Sequence, residues 1–306
     1  MMVLIWNDMT YHTTVLLHEG VNALKVDPAG VYVDVTLGAG GHSREILKQL
    51  GTGGRLFGFD QDADAVRNQP EDDRFELCFG NFRFTKQFLL AKGVEKVDGI
   101  IADLGVSGFQ FDEATRGFSF RFDAKLDMRM NASQEKDAIQ VVNDYEEGDL
   151  IRIFKRYGES GFAKPIARRI ARQRLEKRIE TTKDLVKLVE AVVPERKVKG
   201  ELPKIFQAIR IEVNDELEVL QAFLLQVPDL LKSKGRLVVL SYHSLEDRLV
   251  KHFLRSGNFD DVQEKDIYGN VLRPMDQEGK VIAPSETEIE ENPRARSAKM
   301  RIGVKR

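Results

Sequence analysis

Up to about residue 105 the chain alternates between short apolar runs rich in β-branched residues and amphipathic stretches, and this alternation restricts the fold more than any other feature. The strand candidates read GVYVDVT, GRLFGFD, FELCFGN and VDGIIADLGV. Between them we predict a helix from Ser43 to Leu50 and further helices near Ala63 and Lys86. Apolar strands separated by helices form a parallel sheet that helices cover on both faces. This part of the chain is therefore predicted to be α/β.

The strand signal disappears from Phe111 to about Ile211, where helical patterns replace it. Asn143 and Asp144 are N-cap candidates for the helix in NDYEEGDLIRIFKRYG. The stretch FAKPIARRIARQRL places apolar residues at helical spacing, and TTKDLVKLVEAVV resembles a capping box. We therefore predict a block of helices in the middle of the chain.

Strands return after this block. One long helix is predicted in IFQAIRIEVNDELEVLQAFL, followed by strands in GRLVVLSYHS and AKMRIGVK, with the polar stretch 260–296 between them as a loop. Because the α/β pattern resumes, we predict one sheet domain interrupted by another domain rather than two consecutive domains. The sheet domain comprises residues 1–110 and 212–306, and the inserted helical domain comprises residues 111–211.

Composition limits the kinds of partner. Hydrophobic residues make up 42% of the 306 residues and charged residues 31%, with a formal net charge of -2, so any nucleic-acid contact must come from a local basic patch. The single cysteine, Cys78, excludes an intramolecular disulfide and a Cys-based zinc cluster. No basic signal region and no apolar run of membrane-spanning length is evident. We expect a cytoplasmic protein that does not contact a membrane.

Acidic residues end three of the predicted strands. The first strand ends at Asp34 and runs into the turn GAGG, which contains Gly38; the second ends at Asp60 and the fourth at Asp103. Ligands of an open parallel sheet bind outside the carboxyl ends of its strands. Asp60 follows Gly38 by 22 residues, the spacing at which an acid reaches a ribose hydroxyl pair. The pattern therefore predicts a site for an adenosine-containing cofactor.

The turn distinguishes between two such cofactors. NAD needs a pyrophosphate site with the pattern G-x-G-x-x-G, and here Ser43 stands where the third glycine belongs. S-adenosylmethionine carries no phosphate and needs acceptors for its ammonium and ribose, backbone donors for its carboxylate and an apolar wall for adenine. Asp34, Asp60, the glycine turn and Phe82, which follows the third strand, match these needs. We therefore predict S-adenosylmethionine as the cofactor.

A methyl donor leaves carbon, oxygen or nitrogen open as the acceptor. Methylation at C5 of a pyrimidine needs a cysteine nucleophile, and Cys78 lies inside the predicted third strand, where packing is the better interpretation. Asp103 offers a hydrogen-bond acceptor at the end of the central strand. Such an acceptor suits an exocyclic amine, whose developing positive charge it stabilises. Asp103 is therefore the candidate catalytic residue.

Eight motifs carry a resemblance to a known family. They are YHTTVLLHE, GAGGHS, ADLGVS, RGFSF with LDMRM, FQAIRIEVNDEL, SYHSLEDRLVKHF and ENPRARSAKMRI, and they extend from Tyr11 to Ile302. Together they resemble the bacterial ribosomal RNA small-subunit methyltransferase H family, also called MraW. The resemblance implies a Rossmann-like S-adenosylmethionine-dependent methyltransferase domain with an inserted all-helical domain. It also implies methylation at N4 of a decoding-centre cytosine in 16S ribosomal RNA, within the small ribosomal subunit or its precursor.

The resemblance also assigns residues to the cofactor site. By matching motifs, the cofactor-binding residues of the family fall on Gly40, Gly41, His42, Asp60, Phe82, Asp103 and Gln110. Asp34 and Gly38, which the strand-end argument supplies, complete the predicted set. His243, at the end of GRLVVLSYHS, is a second catalytic candidate because it would lie at the same edge of the sheet.

Two basic elements are candidates for RNA binding. Charges of one sign recur on a predicted helix of the insert, and a second group follows in NPRARS near the end of the sequence. The residues are Lys164, Arg168, Arg169, Arg172, Arg294 and Arg296. A charged helix face is often only solvated. The single sign of this one favours contact with phosphate groups.

Three other functions stay open from the residues alone. A small-molecule methyltransferase would share the cofactor cleft but has less need of a basic insert. An RNA-binding protein without catalytic activity would explain the basic helix but not the acidic strand ends. A DNA acceptor is the third alternative, and the oligomeric state is open, a homodimer included.

Overall fold

The computed structural model describes residues 14–106 and 114–306. Within them, seven strands form one sheet. In chain order they are β1 Val31–Asp34, β2 Arg55–Asp60, β3 Phe75–Phe79, β4 Val97–Asp103, β5 Leu231–Ser241, β6 Met275–Ile282 and β7 Lys299–Lys305. Their lateral order is β3-β2-β1-β4-β5-β7-β6. The predicted Rossmann-like α/β sheet is confirmed.

Strand direction explains how this sheet forms a site. Strands β1 to β5 run parallel, whereas β7 is antiparallel to both β5 and β6. The chain winds outward from β1 in both directions, so the carboxyl ends of β1, β2 and β4 meet where the winding reverses. Asp34 is paired in register with Gly58 on one side and Ile101 on the other. A crevice at such a reversal is where open α/β sheets bind ligands.

Helices cover the sheet and form the insert. Those that flank the early strands are α1 Leu17–Leu24, α2 Gly41–Gln49 and α3 Thr85–Ala91. The inserted helical region contains α4 Ala138–Asp144, α5 Glu147–Arg156, α6 Ala163–Glu176, α7 Thr182–Glu190 and α8 Glu195–Asn214. The remaining helices are α9 Glu216–Leu230, α10 Ser244–Ser256 and α11 Glu286–Glu291. The helix expected near Ala63 is a 3₁₀ turn at Ala65–Asn68.

Three local predictions have instructive outcomes. The capping box at Thr181 is confirmed. The Thr181 side chain accepts from the Asp184 amide, and the Asp184 side chain accepts from the Thr181 amide. The N-cap assignment of Asn143 and Asp144 is wrong: both residues lie in α4, and α5 begins only after Glu146. The loop expected across 260–296 contains β6, a strand at the sheet edge whose polar sequence MDQEGKVI hides it.

The long helix predicted before the fifth strand is two helices. Asp215, between α8 and α9, has φ of 49°, in the left-handed region that ends a helix. The preceding Asn214 is buried, and its side chain bonds to the Met128 carbonyl at 2.8 Å and accepts from the Met130 amide at 2.8 Å. The hydrogen bonds of Asn214 at this break therefore hold the segment around Met130 against the end of α8.

The insert has an apolar core of its own. One buried cluster is built almost wholly from residues between Phe118 and Leu217, joined by Leu245 of α10. Two other clusters cover the faces of the sheet, and Phe223 on α9 belongs to one of them, so α9 is part of the sheet layers. Separate cores support a division close to the predicted one, which stays a prediction. In the described part of the chain no helix has the length and apolarity to cross a bilayer.

Candidate active site

The glycine turn after β1 is shaped by its close neighbours. Gly38 and Gly40 have φ of 50° and 77°, a region that glycine adopts without strain. A β-carbon on Gly41 would collide with the side chain of Thr14, so Thr14 lies directly against the start of α2. The Gly38 amide donates to Asp60 Oδ2 at 2.9 Å, which joins the turn to the end of β2. The turn therefore lies beside the carboxylates of Asp34 and Asp60.

Asp34 supports this turn from beneath. Its side chain is buried and accepts from Ser43 Oγ at 2.7 Å and from the Thr36 amide at 3.1 Å. Burial raises its pKa to about 6, although these hydrogen bonds oppose the shift. Asp34 therefore fixes the start of α2. A direct contact of Asp34 with a cofactor stays a prediction.

Asp60 ends β2 and is tied to the loop that follows. Beside the Gly38 contact, its Oδ1 accepts from the Asp62 amide at 2.9 Å. Burial raises the pKa of Asp60. The Asp62 carboxylate is in turn bound by Arg116, whose other nitrogen donates to the Arg129 carbonyl at 2.8 Å. This guanidinium, which sequence analysis missed, connects the loop after Asp60 to the segment that enters the insert.

Asp103 lies at the end of β4 with one side-chain hydrogen bond. The Tyr242 hydroxyl donates to its Oδ1 at 2.7 Å, and its backbone amide donates to Thr36 Oγ1 at 2.6 Å. Burial raises the pKa of Asp103 to about 7, and the nearby charge of Asp34 adds to the shift. The side chain as a whole is 22% exposed. Asp103 can accept a hydrogen bond from a ligand.

His42 is buried at the start of α2, with Nδ1 3.8 Å from Asp103 Oδ2. Burial lowers the pKa of His42 to about 4, so the ring is neutral near pH 7 and the contact is not an ion pair. The ring also packs close to Gly20, where an added β-carbon would lie 3.2 Å from Nε2. His42 thus borders the Asp103 carboxylate as a neutral packed side chain.

Phe82 lies beside the same edge, after β3. Its ring contacts Phe223 edge-on, with centroids 5.4 Å apart, and is partly buried. The Asn81 side chain caps the turn by accepting from the Arg83 amide at 2.9 Å. Phe82 can therefore supply an apolar wall. Gln110, the last predicted cofactor residue, lies outside the described residues.

His243 has a structural role that its sequence position did not reveal. It is the N-cap of α10, where Nδ1 accepts from the Glu246 amide at 3.4 Å and Nε2 lies 3.2 Å from Glu246 Oε1. Glu246 Oε2 accepts from the Tyr242 amide at 2.9 Å. These two side chains therefore fix the backbone on which Tyr242 stands. A catalytic role for His243 stays a prediction.

Glu216, His243 and Glu246 bring possible metal-ligand atoms within 4.8 Å of one another. Arg210 already binds both oxygens of Glu216, at 2.7 Å and 2.9 Å. The Arg210 guanidinium therefore pairs with the Glu216 carboxylate, and its charge also helps to lower the pKa of Glu246.

The basic residues predicted to bind RNA are exposed. Lys164, Arg168, Arg169 and Arg172 lie on the solvent side of α6, and Arg168 forms an ion pair with Glu147 at 3.3 Å. Arg294 and Arg296 lie in an exposed 3₁₀ turn, Pro293–Ser297, before β7. The structure brings the described cofactor candidates to one edge of the sheet. Among the described contacts, none joins Lys164, Arg168, Arg169 or Arg172 to them.

Tyr242 was missed because its sequence neighbours drew attention to His243. The signal available was its place directly after β5, the strand beside β4. Two parallel neighbours bring their carboxyl ends together, which places Tyr242 beside Asp103.

Comparison with known proteins shows the family to which this chain belongs. Residues 9–306 match the model of the MraW methylase family. The ribosomal RNA small subunit methyltransferase H of Christiangramia forsetii is 52% identical over 297 residues, covering 97% of this chain and 98% of the relative. The protein of the same name from Bacteroides fragilis is 49% identical over 300 residues, covering 98% and 99%. A solved rRNA methylase from Streptococcus thermophilus has a TM-score of 0.40 at 12% identity, covering 95% of this chain and 97% of that one. The chain therefore belongs to the MraW methylase family of S-adenosylmethionine-dependent methyltransferases.

Proposed function

We propose that this protein transfers a methyl group from S-adenosylmethionine to the N4 amine of a decoding-centre cytosine in 16S ribosomal RNA. The observation that carries the proposal is the full-length match to relatives named for the small ribosomal subunit RNA. The acidic edge of the sheet supports it, because it offers an acceptor where an amine could be methylated.

The residues of this edge fit the cofactor. Three carboxylates, those of Asp34, Asp60 and Asp103, approach one glycine turn, which favours a cationic ligand over a diphosphate. We assign the turn, with Gly38, Gly40, Gly41 and the start of α2 at His42, to the carboxylate end of the cofactor, since helix N-termini bind anions. Asp60 would accept from the ribose hydroxyls, and Phe82 would pack against adenine.

S-adenosylmethionine supplies an electrophilic methyl group, so the chain needs no strong base before transfer. The enzyme has to align the amine and stabilise the charge that develops on nitrogen as the new N–C bond forms and the S–C bond breaks. Asp103 Oδ2 is the acceptor we assign to this amine. The proton that N4 then loses passes to the Asp103 carboxylate or to water. Asp103 must be ionised when transfer begins.

We propose that the inserted helical region recognises the RNA. Its basic face on α6 would bind phosphate groups, and so would the turn that holds Arg294 and Arg296. A cytosine that leaves its stack to enter the cleft is recognised through its Watson–Crick edge, which carries N4. Arg116 joins the segment that enters the insert to the loop after Asp60. The proposed RNA-binding region and the proposed cofactor site therefore meet at this guanidinium.

The test is methylation by the purified protein, with labelled S-adenosylmethionine, of 16S ribosomal RNA from cells that lack the gene. We expect N4-methylcytidine by mass spectrometry of the digested nucleosides, from free RNA or assembled small subunits. Matched reactions contain DNA of the same sequence and a cell metabolite extract. Methylated DNA or a methylated metabolite without methylated RNA would contradict the proposal, and failure to bind the cofactor would contradict any methyltransferase.

A further inference from the structure

We propose that Tyr242 is a positioning residue for methyl transfer: its hydroxyl holds one oxygen of Asp103 so that the other oxygen faces the acceptor amine. The part about the amine rests on the proposed function. The part about the carboxylate rests only on the described geometry, so the two can fail separately.

Within residues 14–106 and 114–306, the Asp103 side chain is held at one oxygen only. The Tyr242 hydroxyl donates to Oδ1 at 2.7 Å, while the backbone of Asp103 is fixed through Thr36 Oγ1 at 2.6 Å. Among the described residues no hydrogen bond reaches Oδ2, and His42 Nδ1, at 3.8 Å, is beyond bonding distance. With one oxygen bound and the backbone fixed, rotation about the side chain is restricted. Oδ2 is then a directed acceptor.

Tyr242 is itself held in place. Its backbone amide donates to Glu246 Oε2 at 2.9 Å, and Glu246 completes the capping box with His243 at the start of α10. The ring packs against one of the apolar clusters of the sheet. The helix cap thus orients the phenol, and the phenol orients the carboxylate. This gives the motif SYHSLEDR a role in the site that needs no contact between His243 and substrate.

The electrostatics of the pair make the hydroxyl a donor. Burial and the charge of Asp103 raise the pKa of Tyr242 well above its ordinary value, and Glu246 and Glu288 act in the same direction. The phenol therefore keeps its proton. The charges of Asp34 and Glu246 add to the rise that burial causes in the pKa of Asp103, the neutral His42 ring lies beside it, and the hydrogen bond from Tyr242 opposes this rise. Removing that bond must raise the pKa of Asp103 further.

The test replaces only the hydroxyl, as Tyr242→Phe. We expect single-turnover methylation near pH 7 to be slower by about tenfold or more, the effect of losing a hydrogen bond to a charged group. The loss should shrink at higher pH, where more of the Asp103 carboxyl is ionised, but the part that comes from lost orientation should remain. Cofactor affinity should change by less than about threefold. Tyr32→Phe is the matched control: it also removes a buried phenol hydroxyl from the sheet, one that accepts from the Asp27 amide before β1.

A second measurement uses the cofactor-free protein. Carbon-13 NMR of labelled aspartate side chains, with Asp103→Asn to assign the signal, should show Asp103 titrating at higher pH in Tyr242→Phe than in the wild type or in Tyr32→Phe. An unchanged titration would overturn the hydrogen bond whatever the enzyme methylates. A shifted titration with normal methylation at every pH, or a rate loss that disappears completely at high pH, would overturn the positioning role. Absence of N4-methylcytidine with the wild type would instead contradict the proposed function.

Discussion

The carboxyl edge of the sheet and the solvent face of α6 use charge in opposite ways. At the edge, Asp34, Asp60 and Asp103 are largely buried and bonded to nearby amides or hydroxyls, and burial raises the pKa of each. On α6, Lys164 and Arg168 lie in solvent, and the ion pair of Arg168 joins two exposed side chains. Buried charges are costly and strongly directed, whereas exposed charges are inexpensive and screened by salt.

This difference teaches what each region can recognise. A few fixed groups discriminate a small cofactor and one amine, because each contact is made at a set distance in a medium of low polarity. Many loose cations suit a polyanion, because each phosphate contact adds a small, salt-dependent amount. Single substitutions should therefore have large effects at the edge and small ones on α6.

The largest effect is expected for Asp103→Asn. An amide cannot stabilise the positive charge that develops on the acceptor nitrogen, so single-turnover methylation at saturating cofactor should fall by about a hundredfold or more. Cofactor affinity should stay within a few-fold. The control is Asp98→Asn, which makes the same change near the start of β4, where Asp98 bonds the Val31 amide and Lys232. Normal methylation by Asp103→Asn would leave Asp103 with a structural or cofactor-binding role only.

The same residue predicts a pH profile. Because only ionised Asp103 accepts from the amine, the single-turnover rate of the wild type should rise with pH as this carboxyl, whose pKa burial raises to about 7 in the cofactor-free protein, loses its proton. Asp103→Asn should lack this dependence. A wild-type rate that is flat from about pH 5 to 9 would contradict ionisation of Asp103 as a requirement.

A smaller effect is expected for Asp60→Ala. Loss of a charge-assisted contact to ribose should weaken S-adenosylmethionine binding by about tenfold to a hundredfold, while the protein stays folded. Calorimetric titration measures this affinity, and Asp73→Ala, in the exposed loop before β3, is the control. Asp60→Ala also leaves the amides of Gly38 and Asp62 without their acceptor. Asp60→Asn keeps an acceptor oxygen, so its cofactor affinity should lie between those of the wild type and Asp60→Ala. Equal affinity of all four proteins would remove Asp60 from the site.

The residues that sequence predicted well are those whose role is local. Asp34, Asp60 and Asp103 each end a strand whose apolar pattern is plain, and parallel winding then brings these ends together without further information. The same reasoning explains why the inserted helices and the capping box at Thr181 could be predicted, since helix periodicity and caps lie within a few residues.

The missed features depend on partners far along the chain. Tyr242 meets Asp103 across 139 residues, and Arg116 meets Asp62 across 54. Neither pairing leaves a local signal. Strand β6 was missed because an edge strand paired on one side needs few apolar residues. The break at Asp215 was missed because aspartate seldom adopts a left-handed conformation, and here the hydrogen bonds of Asn214 to Met128 and Met130 help to fix it.

On α6, the double variant Arg168→Glu and Arg172→Glu tests the weaker, distributed kind of contact. We expect RNA affinity to fall and its dependence on salt to become shallower, because fewer counterions are released on binding. Cofactor affinity should be unchanged. The control carries the same charge change outside α6, as Lys265→Glu with Lys280→Glu, both exposed. If filter-binding curves of the two double variants coincide at several salt concentrations, the α6 face is only solvated and the contrast with the sheet edge fails.

The smallest effect concerns folding rather than activity. The pKa of Asp34 is about 6 in the folded protein and 3.8 in its ordinary state, so the folded protein holds a proton that the unfolded chain releases between these values. Above about pH 6 the buried charge therefore opposes folding, and this cost disappears as the pH falls below about 4. Asp34→Asn keeps an acceptor for Ser43 without the charge, so at pH 8 it should raise the melting temperature by about 5 °C. Near pH 4 the two proteins should melt together in calorimetry. A variant that melts lower than the wild type at pH 8 would mean that the hydrogen bonds from Ser43 and Thr36 outweigh the cost of burying the charge. The sheet edge would then be stabilised by its acids rather than strained by them.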